Sequence, residues 1–144
     1  MNRIEKTVDL FASGLNCSQA MLTVFGETYG LDAEVAKRLA RPLGGGMGRM
    51  ARTCGAVTAA VLVLGLAKDN DDEGQARNVS YASVRDLLTR FEALHGSTEC
   101  RSLLGVDLST EEGLKKAQEA KRVSKVCPLF VKDAAGILEE LLAH

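Results

Sequence analysis

Apolar side chains recur every three or four residues along most of the chain, which is the spacing of one face of an α-helix. Ile4, Val8, Phe11 and Leu15 form the first of these stripes. Four more groups follow the same spacing: Ala20, Met21, Val24 and Phe25; Val35, Ala36 and Leu39; Tyr81, Val84, Leu87, Leu88, Phe91 and Leu94; Phe130, Ala134, Ile137 and Leu141. The pattern therefore predicts an all-α fold.

Capping residues and helix breakers predict where these helices begin and end. Asn16 is followed three residues later by Gln19, which is the arrangement of a capping box. The other start signals are Asp32, Gly96 to Thr98 before a short helix over 99–104, Ser109 with Glu112, and Pro128 at a first helical position; the stop signals are Gly30, Pro42 and Gly105. The segment over 68–75, KDNDDEGQ, is predicted to be a solvated turn.

One apolar run differs from the others because it has no polar face. It extends from Cys54 to Ala67 and has 14 residues, fewer than the roughly 20 that span a bilayer. Its length and its alanine content predict a buried central helix rather than a strand. A predicted loop over 43–53, which contains the glycine cluster GGGMG, precedes it. Since no repeat or linker interrupts the pattern, we predict a single domain over residues 1–144, a multi-helix bundle around this central helix.

Composition narrows the classes of function. Of the 144 residues, 46% are hydrophobic and 26% are charged, which is typical of a soluble globular domain. A formal net charge of -1, an aromatic content of 4% and the lack of Trp argue against nucleic-acid or membrane partners. The N-terminal segment lacks the apolar stretch of a signal peptide, so we expect a cytoplasmic protein whose thiols are kept reduced.

The four cysteines fall at predicted helix starts. They follow the cap Asn16, open the central helix, lie in the first turn after Thr98 and precede Pro128; in that order they are Cys17, Cys54, Cys100 and Cys127. Free amides and the positive end of the helix dipole stabilise an anion at such positions and lower the pKa of a thiol. Arg49 and Arg52 add positive charge near the second of them. This placement predicts reactive thiols.

Other candidate motifs are weaker. GGGMGRM lacks the ending of a phosphate-binding P-loop and follows a helix rather than a strand, so we expect its small residues to permit close backbone packing beside Cys54. His95 is a candidate general base or metal ligand, but a lone histidine at a helix end is more often a polar terminus. The acidic run from Asp69 to Glu73 lacks the ligand spacing of a calcium loop.

Several stretches together resemble a known protein family. They are NCSQAML around Cys17, GGGMGRMARTCGAVTAAVLVLG around Cys54, and the single cysteines Cys100 and Cys127. Over nearly its whole length the chain resembles the C_GCAxxG_C_C family of small bacterial and archaeal redox-active proteins. The resemblance implies an α-helical domain whose active centre is formed by these four cysteines. A related domain in the split-Soret cytochromes is associated with an iron–sulfur centre, although no CxxCH haem-attachment motif is present here.

Three functions stay open at this point. In the first, the cysteines carry out thiol–disulfide exchange or electron transfer with a redox partner protein or a small-molecule oxidant, and the working pairs are Cys17 with Cys54 and Cys100 with Cys127. In the second, the same four cysteines bind an iron–sulfur cluster; zinc ranks lower because short cysteine spacings are absent. In the third, the chain is a helical interaction module, such as a homodimer, and its cysteines are structural.

Overall fold

Helices make up most of the chain, and the all-α prediction is confirmed. The computed structural model describes residues 1–143, so the last residue of the predicted domain lies outside it. The helices are α1 (Arg3–Ala12), α2 (Cys17–Gly26), α3 (Ala33–Ala40), α4 (Gly55–Ala67), α5 (Glu73–His95), α6 (Cys100–Leu104), α7 (Glu111–Glu119) and α8 (Arg122–Leu142). Short 3-10 turns cover Glu27–Tyr29 and Arg41–Leu43, and residues 1–143 contain no β-strand.

The predicted central helix is confirmed as α4, which packs against α2, α5 and α8. Its buried side chains are Ala56, Val57, Ala59, Ala60, Val63 and Leu64. Each buried valine or leucine contributes about 1.5–3 kcal/mol, and the alanines let the neighbouring helices approach closely. The composition of this helix predicts that it is covered on every side. Leu62 and Leu66 are nevertheless exposed, so one side of the helix is open.

Side-chain caps fix the starts of α2 and α3 as predicted. The Asn16 side chain accepts a hydrogen bond from the Gln19 amide, and the Gln19 side chain accepts one from the Asn16 amide. Asp32 accepts hydrogen bonds from two amides in the first turn of α3. Such caps satisfy amides that have no partner inside the helix, typically for about 1 kcal/mol each. They define the first turn of α2, where Cys17 lies.

The predicted starts of α5 and α7 are wrong. α5 begins at Glu73 with Asp72 as its N-cap, so the turn predicted over 68–75 ends earlier. α7 is capped by Thr110, whose Oγ1 accepts a backbone hydrogen bond. Ser109, the predicted cap, instead donates its hydroxyl to Asp107, which removes it from the helix start.

The apolar stripe buried by α5 is narrower than predicted. Leu87 and Phe91 are fully buried, whereas Tyr81 and Leu94 are 63% and 61% exposed. α5 has 23 residues and α4 has 13, so at about 1.5 Å per residue α5 extends well past the helix on which it packs. Despite this length, no helix in the described part of the chain is both long and apolar enough to cross a membrane.

The last helix begins earlier than predicted, which corrects the position of Cys127. α8 starts at Arg122 and has Pro128 inside it, so Cys127 lies in the second turn rather than at the N-cap. A proline inside a helix leaves the carbonyl four residues earlier without its usual partner. Tertiary contacts hold the first turn nonetheless, since the Arg122 side chain donates to the Leu104 carbonyl at 2.7 Å. Packing therefore overrides the start signal of the proline.

The glycine cluster forms a left-handed turn within the segment that the sequence predicts to be a loop. Gly44–Met47 is a single helical turn in which Gly45 and Gly46 have φ values of 66° and 73°. Positive φ continues through residues 47–49, which makes five consecutive left-handed residues. Glycine occupies three of these five positions, where a side chain would strain the backbone. Hydrogen bonds from the amides of Ala51 and Arg52 to the two glycine carbonyls hold the turn.

We expect Gly46→Ala to lower the free energy of unfolding by about 2–4 kcal/mol. A Cβ at this position would lie 2.5 Å from the backbone nitrogen of Arg52, in addition to the left-handed φ. Gly48→Ala is the matched control, because its φ is 60° but nothing lies within 4 Å. For the control we expect a loss of about 1 kcal/mol. Urea unfolding measures both, and equal losses would contradict the close packing of Gly46 on the chain.

Candidate functional site

The four cysteines, far apart in the chain, line one cavity of about 460 Å³. α2, α4 and α6 begin at this cavity, and α8 passes it. The rest of its wall consists of the apolar residues Phe11, Pro42, Leu103, Leu104, Leu108, Val123, Phe130 and Val131, the glycines at 44–46, 48 and 55, and the polar residues Asn16, Arg41 and Arg49. The cavity is thus an apolar chamber with sulfur atoms on its wall and positive charge among its lining residues.

Backbone pairing joins the start of α4 to the start of α6. Thr53 and Glu99 form an isolated antiparallel bridge. The Cys54 amide donates to the Thr98 carbonyl at 2.8 Å, and the Cys100 amide donates to the Arg52 carbonyl at 2.6 Å. Two cysteines that are 46 positions apart in the sequence are therefore held on neighbouring backbone segments. Their helix-start positions agree with the prediction, since Cys54 is the N-cap of α4 and Cys100 is the first residue of α6.

Close packing of α2 on α4 places Cys17 beside Cys54. A Cβ built on Gly55 would lie 2.7 Å from the Cys17 Sγ, so only glycine leaves room for this sulfur. Ser18 anchors the same turn, because its hydroxyl donates to the Ala40 carbonyl at 2.8 Å. The glycine of the Cys-Gly-Ala sequence therefore has a specific steric role at this contact.

Cys127 reaches the cavity from the second turn of α8. It packs against the main hydrophobic core, which includes Cys54, and also against a smaller cluster that includes Cys100 and Leu104. The predicted N-cap position is wrong, but Cys127 still lines the same cavity as the other three cysteines. Cys127 lacks the free amides that the starts of the other three helices offer.

Among the four cysteines, Cys54 is the one whose pKa is lowered. The main cause is a hydrogen bond from the Cys17 thiol, and the backbone amides of Ala56 and Val57 at the start of α4 act in the same direction against the effect of burial. The same shared proton raises the pKa of Cys17 well above its ordinary value, and burial adds to this rise. Cys54 is therefore the more acidic thiol of the pair, and Cys17 is the neighbour that holds the shared proton.

The other two cysteines are neutral thiols. Burial raises the pKa of Cys100 to about 11, and the negative charge on Cys54 adds to the rise. Burial raises the pKa of Cys127 to about 12, and charges on Cys54 and Cys100 act in the same direction. A single cavity therefore holds one activated sulfur and three protonated ones.

The side chains as arranged do not fit a metal cluster. Iron–sulfur clusters and four-cysteine zinc sites are held by thiolates that converge on the metal. Within residues 1–143, no group of three or more His, Cys, Asp or Glu side chains is placed so that it could hold one metal ion.

The other sequence candidates lie outside the cavity wall. His95 Nε2 lies 2.8 Å from an Asp133 carboxylate oxygen, and its ring packs between those of Phe91 and Phe130. These contacts give His95 a structural role at the end of α5. The acidic run over 69–73 is exposed, as its sequence predicts.

The arginines that line the cavity are not the two that the sequence predicts near Cys54. Arg49 lines the cavity, whereas Arg52 does not. Arg41 lines it too, and sequence reasoning missed this residue. The sequence signal for this position is that Arg41 immediately precedes Pro42 and the glycine cluster. The turn that these residues form places Arg41 beside Asn16 at the start of α2.

Comparison with known proteins gives one match. The model of a protein family described as "Putative redox-active protein (C_GCAxxG_C_C)" matches residues 15–141, a range that includes all four cysteines. No curated protein and no solved structure matches the chain.

Proposed function

The chain belongs to the C_GCAxxG_C_C family of putative redox-active proteins, and we propose that it carries out thiol–disulfide exchange with Cys54 as the attacking thiolate and Cys17 as the resolving thiol. The observation that carries the proposal is the pairing of these two residues. Cys54 has a lowered pKa, and the Cys17 thiol beside it supplies the hydrogen bond that lowers it. Thiolates attack disulfides, and a second thiol within reach completes the exchange.

The first step uses the thiolate at the start of α4. Cys54 Sγ attacks one sulfur of a substrate disulfide, and a bond forms between them as the substrate S–S bond breaks. The second substrate sulfur leaves as a thiolate and takes up a proton from solvent. The amides of Ala56 and Val57 stabilise the attacking sulfur before this step.

The second step closes the protein disulfide. Cys17 Sγ attacks Cys54 Sγ, the mixed disulfide breaks, and the departing substrate sulfur takes the proton that Cys17 gives up. In total the two cysteines lose two electrons and the substrate disulfide gains them, which yields two substrate thiols. The close contact of the Cys17 Sγ with Gly55, the residue that follows Cys54, supports this step.

The cavity itself supports a redox function over an interaction module with structural cysteines. A cysteine that serves only in packing behaves as a small hydrophobe among close-packed neighbours. Here the four cysteines instead border a hollow of about 460 Å³. The pairing of Cys100 with Cys127 stays a prediction. Both residues line the same cavity, and the raised pKa of each keeps its thiol protonated.

We expect Cys17→Ser to trap the first intermediate. Without the resolving thiol, a reduced protein mixed with oxidised glutathione accumulates a glutathionyl group on Cys54, while the parent protein releases it and forms the Cys17–Cys54 disulfide. Intact-mass measurement followed by peptide mapping separates the two products. Cys127→Ser is the control and should still form the Cys17–Cys54 bond. A disulfide that joins Cys54 to Cys100 in the parent protein would contradict the assignment of the resolving thiol.

A further inference from the structure

The depth of the attacking sulfur limits the kind of disulfide that can reach it. Cys54 and Cys100 are each 8% exposed, and both lie on the wall of the cavity rather than on an open surface. The disulfide of a folded protein cannot enter such a chamber as a rigid body. A volume of about 460 Å³ falls within the range of small-molecule pockets, roughly 300–1,000 Å³. The geometry therefore favours a slender, low-molecular-weight disulfide.

The charges of the cavity wall are of one sign. Arg41 and Arg49 line it, and no Asp or Glu does. Neither arginine forms a salt bridge with any carboxylate in the described part of the chain. A cavity that combines positive charge with low-dielectric walls concentrates anionic ligands.

The left-handed turn fixes the backbone position of one of these arginines. Arg49 has φ 64°, a conformation that residues with a side chain rarely adopt. Its stem packs on Gly45, where a Cβ would lie 2.7 Å from the Arg49 Cγ. Strained backbone of this kind is concentrated at sites that clamp ligands.

A second cavity extends the site beyond Arg49. Its volume is about 630 Å³, and its wall shares five residues with the cysteine cavity: Phe11, Asn16, Arg49, Leu108 and Val123. It adds Lys121, and again no Asp or Glu lines it. A ligand whose sulfur is beside Cys54 therefore has room for an anionic tail that runs past Arg49 toward Lys121.

We propose that the substrate is a low-molecular-weight disulfide that carries carboxylate or phosphate groups, with Arg41 and Arg49 as its anion-binding residues. The assignment rests on the proposed exchange reaction at Cys54 and Cys17. The disulfide gains two electrons and two protons and leaves as two thiols, while the Cys17–Cys54 bond forms. The apolar inner wall holds the sulfur end, and the arginines hold the anionic groups.

The test compares disulfides that differ in charge. Reduced protein is mixed at low ionic strength with oxidised glutathione, which carries carboxylates, with coenzyme A disulfide, which carries phosphates, with neutral 2-hydroxyethyl disulfide, and with cationic cystamine. We expect at least one anionic disulfide to form the Cys17–Cys54 bond about tenfold faster than the neutral one, with a preference that weakens as salt is added. A faster glutathione reaction assigns the site to carboxylates, and a faster coenzyme A reaction assigns it to phosphates.

Variants connect this preference to the two arginines. The double variant Arg41→Gln with Arg49→Gln should bring the ratio of anionic to neutral rates to about one. Arg38→Gln is the matched control, because Arg38 is an exposed arginine of α3 outside the cavity wall. The inference is overturned if the anionic-to-neutral rate ratio is near one in the parent protein, or if the double variant leaves this ratio unchanged. It is also overturned if the disulfides of the protein insulin oxidise Cys54 while none of the small disulfides does. If no disulfide of any charge oxidises Cys54, the exchange reaction itself is wrong.

Discussion

Cys54→Ser is expected to slow the oxidation of the reduced protein by a small disulfide by about 10³-fold or more, the size of effect that removal of an attacking nucleophile has in enzymes. The serine hydroxyl occupies the same N-cap position but is not ionised near neutral pH, so the first bond cannot form. Cys100 and Cys127 do not replace it, because burial raises their pKa values to about 11 and about 12. The rate is measured by quenching samples at set times with an alkylating reagent for free thiols and counting the alkylated cysteines by mass spectrometry.

Cys100→Ser is the control for this experiment. It removes a buried cavity thiol whose pKa is raised, so the first attack by Cys54 should proceed at nearly the parent rate. If Cys54→Ser reacts as fast as the parent while Cys100→Ser does not, the attacking sulfur has been assigned to the wrong residue.

Gly55→Ala is expected to slow closure of the Cys17–Cys54 disulfide by about 10²-fold, the size of effect that a displacement of about 1 Å causes in reacting groups. The added Cβ would lie 2.7 Å from the Cys17 Sγ and 3.0 Å from the Leu43 carbonyl oxygen. Because the carbonyl is backbone, the sulfur must give way. The mixed disulfide on Cys54 should therefore persist, and its decay after mixing with oxidised glutathione gives the closure rate.

Gly65→Ala is the matched control on the same helix. Nothing lies within 4 Å of a Cβ at Gly65, and the residue is exposed. Alanine there should raise the free energy of unfolding by about 0.5–1 kcal/mol and leave the closure rate unchanged. If both variants close their disulfide at the parent rate, the steric role of Gly55 is wrong.

Local signals predicted those parts of the fold that depend on a few neighbouring residues. Asn16 with Gln19 and Asp32 mark helix starts because a short polar side chain reaches the amides two or three positions later. The apolar run after Cys54 predicts α4 because no polar face is available to point toward solvent. Three of the four cysteines therefore lie at helix starts as expected.

Long-range contacts account for what the sequence did not predict. The bridge between Thr53 and Glu99 joins segments whose local patterns carry no sign of pairing. Pro128 gives a strong start signal, but the helix begins nearly two turns before it, where Arg122 contacts Leu104. The inclusion of Arg41 in the cavity wall depends on the left-handed turn that follows it. These features are set by packing rather than by local propensity.

The most direct test of the account is a pH titration of thiolate absorbance in the fully reduced protein and in Cys54→Ser. We predict that the parent protein has one thiolate that forms below the ordinary cysteine pKa near 9, and that Cys54→Ser lacks this early step. A Cys17→Ala variant should move the step toward higher pH, because the hydrogen bond that stabilises the Cys54 thiolate is lost. Identical titrations of the parent protein and Cys54→Ser below pH 9 would contradict it.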